Sequence, residues 1–109
     1  MKKIVDKGYK NIELWIVGEG YYKNYLVKLT RKLNLQKKVK FLGKKSHQEL
    51  AKLYNLCDVF VLANYQEITP AVNEALACER PVVVMDSGGS RFIIPNNNYG
   101  LISRKFDTD

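Results

Sequence analysis

The feature that most constrains the fold is an alternation, along the whole chain, of short apolar runs with segments patterned for helices. Strand-like runs stand at residues 11–17, 39–43, 58–63, 82–85 and 99–103. Between the first two runs, apolar residues recur at helical spacing at Tyr22, Tyr25, Leu26, Leu29 and Leu33. Parallel strands need crossover connections, which are usually helices. The sequence therefore predicts an α/β fold, a Rossmann-like parallel sheet flanked by helices.

Several helix boundaries have their own sequence signals. Ser46 and Glu49 have the spacing of a capping box, which predicts a helix that continues to about Cys57. Thr69 and Pro70 provide an N-cap and a first-turn proline for a helix that reaches Cys78. The first long helix is expected from Tyr21 to about Asn34, with its tyrosines in the core. The continuous apolar run at 58–63 predicts a central strand that is covered on both faces.

Length and composition limit the classes of protein. A chain of 109 residues with 46% apolar residues is expected to form one domain, residues 1–109. Two cysteines without a metal-ligand spacing predict reduced thiols and no bound metal. The N-terminal residues lack the pattern of a secretory signal, which favours a cytoplasmic location. The net charge of +7 fits a solvated face, or contact with an anionic membrane surface. No motif for nucleic-acid binding is present.

Three loops follow predicted strands, at the edge where parallel sheets bind ligands. They contain Gly18-Glu19-Gly20, the segment 64–69, and the segment 86–90 with its glycine pair. Glycines allow backbone N–H groups to approach a phosphate closely, and helix N-termini attract anions. Together the loops suggest a pocket for a nucleoside diphosphate. The spacing of a dinucleotide fingerprint or of a phosphate-binding P-loop is absent, so an oxidoreductase or an ATPase is not favoured.

Five segments in order resemble the C-terminal domain of retaining GT-B glycosyltransferases, the glycosyl transferases group 1 family. They are Trp15 to Gly20, Val39 to Gly43, Leu53 to Val61, Asn73 to Val83 and Asp86 to Gly89. Any one of these segments is a weak signal. Their order and spacing, over nearly the whole chain, make the resemblance specific.

The resemblance implies roles for particular residues. The family motif has two glutamates separated by seven residues, of which the second binds the donor ribose and the first contacts the transferred sugar. Glu74 matches the second position. The first position falls on Gln66, with Glu67 one place away, so either Glu67 or Gln66 fills the catalytic position. The expected substrate-binding residues are Gly18, Glu19, Gly20, Ile68, Thr69, Glu74, Gly88 and Gly89.

The family pattern also has a glycine where Glu79 stands, which implies a modest cost if that helix ends in a left-handed residue. By resemblance, the parent enzyme transfers a hexose from a nucleoside-diphosphate sugar to a sugar or lipid-linked acceptor, with retention and without a cofactor. The chain is expected to be truncated at both ends, to lack the N-terminal acceptor domain, and to be inactive alone. The alternatives are a non-catalytic Rossmann-like binding module and part of a GT-B-type sugar epimerase.

Overall fold

The computed structural model describes residues 1–63, 70–85 and 100–103. By their contacts the residues fall into two compact units, Met1–Ser46 and His47–Asp109. Each unit is described by itself. The expectation of one domain over residues 1–109 stays a prediction.

Unit 1, Met1–Ser46, contains two helices and two strands. Its elements are α1 (Lys2–Asp6), β1 (Leu14–Val17), α2 (Lys23–Lys32) and β2 (Val39–Gly43). The strands pair in parallel, with Leu14 opposite Val39 and Ile16 opposite Phe41. Leu35 and Val39 are its buried apolar residues. The connection from β1 to β2 runs through α2, as the alternation in the sequence predicts.

In the described residues of unit 2, His47–Asp109, helices again alternate with the strands of a parallel sheet, here three strands. Its elements are α3 (His47–Leu56), β3 (Phe60–Leu62), α4 (Pro70–Ala77), β4 (Val82–Met85) and β5 (Gly100–Ser103). The strand order is β3-β4-β5, and both pairings are parallel. The core consists of Tyr54, Val72, Ala75, Val82 and Val84. The predicted Rossmann-like α/β class is confirmed.

Two expectations about burial are wrong. The run at 58–63 was expected to form a covered central strand, but in the described part of unit 2 the middle strand is β4. Among the strands that the structure describes, β3 is the first in the order β3-β4-β5, and 57% of Val61 is exposed. Tyr21, Tyr22 and Tyr25 were expected in the core and are exposed instead. Tyrosine has an apolar ring and a polar tip, so helical spacing alone does not establish which face it occupies.

Helices α2 and α4 end in the same backbone motif. After α2, Leu35 N–H donates to Thr30 O (2.9 Å) and Asn34 N–H to Arg31 O (3.0 Å). After α4, Arg80 N–H donates to Ala75 O (3.0 Å) and Glu79 N–H to Leu76 O (2.9 Å). These are the paired bonds of a Schellman motif, which puts one residue in the left-handed region. That residue is Asn34 at φ 57° and Glu79 at φ 58°.

Replacing Glu79 by glycine is expected to raise the free energy of unfolding by about 0.5–1 kcal/mol, because glycine adopts a left-handed conformation without steric cost. Urea unfolding of the two proteins measures the difference. Asn34→Gly is the matched control. Since asparagine tolerates this conformation better than glutamate, its gain should be smaller. A loss of stability in Glu79→Gly would contradict the assignment of strain to this position.

Arg80 joins the ends of α3 and α4. Its Nη1 donates to Cys57 O and its Nε to Cys78 O, both at 3.1 Å. A cation at the C-terminal end of a helix satisfies carbonyls that have no partner within the helix. Cys57 and Cys78 are free thiols and are half-buried, and burial raises the pKa of the Cys57 thiol. Arg80 therefore links the C-terminal end of α3 to that of α4, the helix that carries Glu74.

Candidate functional site

The candidate site in unit 2 starts from the packing of Tyr54 on α3. Tyr54 is 6% exposed, and its ring meets Phe60 of β3 edge to face, with centroids 5.7 Å apart and an angle of 69° between the planes. Leu50, Phe60 and Leu62 pack against the same core cluster. A buried tyrosine keeps a hydroxyl that needs a hydrogen-bond partner. The position of this hydroxyl is therefore fixed by the core.

The partner of that hydroxyl is Glu74, the only acidic residue of α4. Tyr54 Oη donates to Glu74 Oε2 at 3.1 Å. The other carboxylate oxygen, Oε1, lies 3.9 Å from Nδ1 of His47. Val72 and Ala75 of α4 are fully buried, whereas 36% of the Glu74 side chain is exposed. Glu74 is therefore held on one side and accessible on the other.

Burial raises the pKa of Tyr54 to about 12 from its ordinary value of 10.0, and the hydrogen bond and negative charge of Glu74 add to this shift. Between pH 10 and 12 the unfolded chain releases the phenol proton while the folded chain keeps it. The contribution of the neutral phenol to stability is therefore complete below pH 10 and is lost as the pH rises through 12.

We expect the wild-type protein to lose stability more steeply than Tyr54→Phe as the pH rises above 10, by at most about 1.4 kcal/mol per pH unit. Urea unfolding of both proteins at several pH values measures the two slopes. The phenylalanine keeps the ring packing, so it isolates the hydroxyl. Equal slopes for the two proteins would refute the assigned titration.

The glycine segment 18–20 in unit 1 is hydrogen-bonded to the end of β2. Gly18 has φ 116°, and its N–H donates to Gly43 O at 2.8 Å. Gly43 has φ 72°, and a Cβ there would lie 3.1 Å from Oε1 of Glu19. That carboxylate also pairs with Lys23, the first residue of α2, at 3.4 Å. The glycines thus hold a tight turn between β1 and α2, as predicted for a loop at the end of a strand.

The remaining candidates lie outside the described residues. These are Gln66, Glu67, Ile68, Thr69, Gly88 and Gly89. Pro70 begins α4, as its first-turn role predicts. Within residues 1–63, 70–85 and 100–103, no three His, Cys, Asp or Glu side chains are placed to hold a metal ion. The expectation that the protein needs no metal stays a prediction.

Two residues at Glu74 were not recognised as its partners from the sequence. His47 is the first residue of α3, and 93% of its side chain is exposed. Its proximity to Glu74 was not predicted. Tyr54 lies in the core, and the apolar pattern of α3 does not indicate that its hydroxyl group donates to Glu74. The available signal was a tyrosine in a core position, where a polar partner is required.

No described helix is long and apolar enough to cross a membrane.

Comparison with known proteins gives one family. The family model for glycosyl transferases group 1 matches residues 1–109. The chain is 36% identical over 102 residues to "Uncharacterized glycosyltransferase MJ1607" of Methanocaldococcus jannaschii, covering 93% of this chain and 26% of that protein. It is 32% identical over 96 residues to an N-acetylgalactosaminyltransferase of Campylobacter jejuni that acts on a diphospho-undecaprenol substrate, covering 84% of this chain and 25% of that protein.

The fold also matches a solved structure, that of Anabaena Alr3699/HepE in complex with UDP-glucose. The TM-score is 0.84 at 19% identity, over 98% of this chain and 31% of that one. This similarity shows the fold. In all three comparisons the chain spans between a quarter and a third of the length of the other protein.

Proposed function

Because the chain belongs to the glycosyl transferases group 1 family, we propose that it supplies the donor-binding part of a glycosyltransferase. The parent enzyme transfers a hexose from a nucleoside-diphosphate sugar to a sugar or lipid-linked acceptor, with retention of configuration. The Campylobacter jejuni relative, named for a polyprenyl-diphosphate substrate, supports a lipid-linked acceptor. The UDP-glucose in the Anabaena structure supports a nucleotide-sugar donor. Neither the binding module nor the epimerase is favoured by these similarities.

The observation that carries the proposal is the geometry of Glu74. A carboxylate accepts up to four hydrogen bonds and suits a pair of neighbouring hydroxyl groups, such as those of a ribose. Tyr54 occupies part of this capacity on Oε2, and the exposed part of the side chain leaves the rest for a ligand. Because Tyr54 is anchored in the core, Glu74 is oriented before the ligand arrives, which lowers the entropic cost of binding.

The other roles are proposals from the family pattern. Glu67 or Gln66 contacts the transferred sugar, a glutamate being the better group to stabilise developing positive charge. Gly88 and Gly89 contact the diphosphate, and Ile68 and Thr69 lie beside the donor. Gly18, Glu19 and Gly20 contact the nucleotide. The diphosphate leaves without a metal ion, so the chemistry depends on positioning and on backbone dipoles.

The proposed location is the cytoplasm, at the inner face of the membrane where a lipid-linked acceptor would be presented. The missing partner is an acceptor-binding domain of the same enzyme. This is supported by the chain's share of its relatives' length, about a quarter. The chain would form only one side of the catalytic cleft, so we expect it to bind the donor weakly and to transfer no sugar by itself.

The proposal is tested by titrating UDP, GDP and their hexose conjugates into the 109-residue chain, observed by heteronuclear NMR. At least one nucleotide should give saturable shifts that include the amides of α4, and it should bind more tightly than inorganic pyrophosphate, which has no ribose. If no nucleotide binds, the chain shares the fold of the glycosyltransferases but does not bind a donor by itself. Sugar transfer by the chain alone would contradict the expectation that it is inactive.

A further inference from the structure

Positive charge is concentrated in unit 1. Residues 1–46 contain thirteen of the 18 Lys and Arg but only three of the 11 Asp and Glu, a net charge of +10. Residues 47–109 carry a net charge of −3. Between Glu19 and Glu49 there is no acidic residue and there are nine basic ones. Such a separation of charge along a chain indicates a polyanionic partner rather than general solubility.

One surface of unit 1 combines this charge with exposed aromatic rings. Tyr25, Lys28 and Lys32 follow helical spacing along α2, so they share a side of the helix. Tyr21 and Tyr22 are exposed in the turn that leads into α2, and Arg31 is exposed in the last turn of α2, next to Lys32 in the sequence. We call these six residues the α2 face. Tyr21, Tyr22 and Tyr25 are 104%, 74% and 61% exposed, whereas Leu26, Leu29 and Leu33 of the same helix are half-buried.

The cations of the α2 face are free to meet a partner. Lys28, Arg31 and Lys32 are exposed. None of them forms an ion pair with another residue that the structure describes. The nearby Lys23 is already paired with Glu19. Three exposed tyrosine rings near cations without an ion pair in the described residues are typical of an interaction surface.

We propose that the α2 face docks unit 1 on a bilayer that contains anionic lipids. Tyrosine has an apolar ring and a polar tip, and it is enriched where a membrane meets water. Lysine side chains lay their apolar stems on such a surface and keep their charge in the headgroup layer. The anionic headgroups of a cytoplasmic leaflet complement a face that has no acidic residue. The inference rests on the proposed location at the membrane and names the surface that would dock there, and it requires neither Glu74 nor a nucleotide.

The type of cation favours a membrane over a nucleic acid. Residues 1–46 contain twelve lysines and one arginine. Arginine is the residue that binds phosphates and base edges in a bidentate manner, whereas lysine acts as a hydrated point charge. A diffuse, laterally mobile layer of anionic headgroups needs point charges and no fixed geometry. The composition of unit 1 therefore fits a lipid surface.

The test is sedimentation of the chain with phosphatidylcholine vesicles that contain either no anionic lipid or about a third phosphatidylglycerol, the charged lipid being needed for attraction. Binding should require the anionic lipid and fall as salt is added. The variant Lys28→Gln, Arg31→Gln, Lys32→Gln should bind the anionic vesicles on the order of 100-fold more weakly, at about five-fold per charge. Equal binding to neutral vesicles would overturn the proposal.

The matched control removes three positive charges elsewhere in unit 1, in Lys7→Gln, Lys10→Gln, Lys44→Gln. All six substituted residues are exposed, so both variants should stay folded, which the NMR spectrum checks. The control should lose much less affinity than the α2 variant. Equal losses would mean that net charge, rather than the α2 face, attracts the chain, and would overturn the proposal.

Two further experiments test the role of the tyrosines and the choice of a membrane over a nucleic acid. The double variant Tyr21→Ser, Tyr25→Ser should bind vesicles more weakly with the same dependence on salt, because it removes aromatic rings and no charge. An unchanged affinity would remove the aromatic part of the proposal. An oligonucleotide that bound more tightly than the anionic vesicles at the same ionic strength would overturn the choice of a membrane. Nucleotide affinity should be the same in the α2 variant and wild type, which keeps this proposal separate from donor binding.

Discussion

Replacing Gly100 by alanine is expected to lower the free energy of unfolding of unit 2 by about 3 kcal/mol or more, which is the upper range for an overpacked core. Gly100 is buried in β5 and lies opposite Val82 of β4. A Cβ at this position would overlap the carbonyl oxygen of Val82 and lie 2.6 Å from its Cγ2. Because one of these atoms belongs to the backbone of a paired strand, no change of rotamer relieves the overlap.

Urea unfolding, together with amide hydrogen exchange in β4 and β5, measures this effect. Gly20→Ala is the matched control, since nothing lies within 4 Å of a Cβ built there. The control should remain within a few tenths of a kcal/mol of the wild type, as expected for a substitution that overlaps nothing. A loss of less than about 1 kcal/mol in Gly100→Ala would contradict the close approach of β4 to Gly100.

Replacing Glu74 by glutamine is expected to weaken nucleotide binding on the order of 10- to 100-fold. Hydrogen bonds to a charged group are worth about 1.5–3 kcal/mol each, and the amide keeps the size of the side chain but loses the charge. Glutamine still offers Tyr54 an oxygen acceptor, so the fold should be preserved. Glu79→Gln makes the same change of charge at an exposed position just beyond α4 and should leave binding unchanged. An equal loss in both variants would indicate long-range electrostatics rather than a contact.

Much of the fold could be predicted because its signals are local. The Val39–Gly43 and Val82–Met85 strands appear with the predicted bounds, and Pro70 begins α4. Capping chemistry and apolar periodicity act within one turn or one strand, so they can be recognised in a single sequence. Glu79 stands where the family pattern has a glycine, and its φ of 58° shows that this helix end is left-handed.

The errors concern relations between distant residues. Tyr54 and Glu74 are 20 residues apart and meet only because α3 and α4 pack on the same sheet. The place of β3 in the strand order depends on which strands pair, a non-local choice. The exposure of Tyr21, Tyr22 and Tyr25 depends on which side of α2 meets the sheet. Tyr21 and Tyr22 precede the first residue of α2, and Tyr25 borders the side that carries the leucines, so helical spacing alone does not establish whether these three residues are buried.

The most direct test of the central claim is a thermodynamic cycle between Glu74 and the ribose hydroxyls. The affinities of wild type and Glu74→Gln are measured for the nucleoside diphosphate that binds best and for its 2′,3′-dideoxy form. If Glu74 binds the ribose, the substitution weakens binding of the ribonucleotide on the order of 10-fold or more and has little effect on the dideoxy form. Equal losses for both ligands, or no loss for either, would contradict the assignment of Glu74 as the donor-ribose contact.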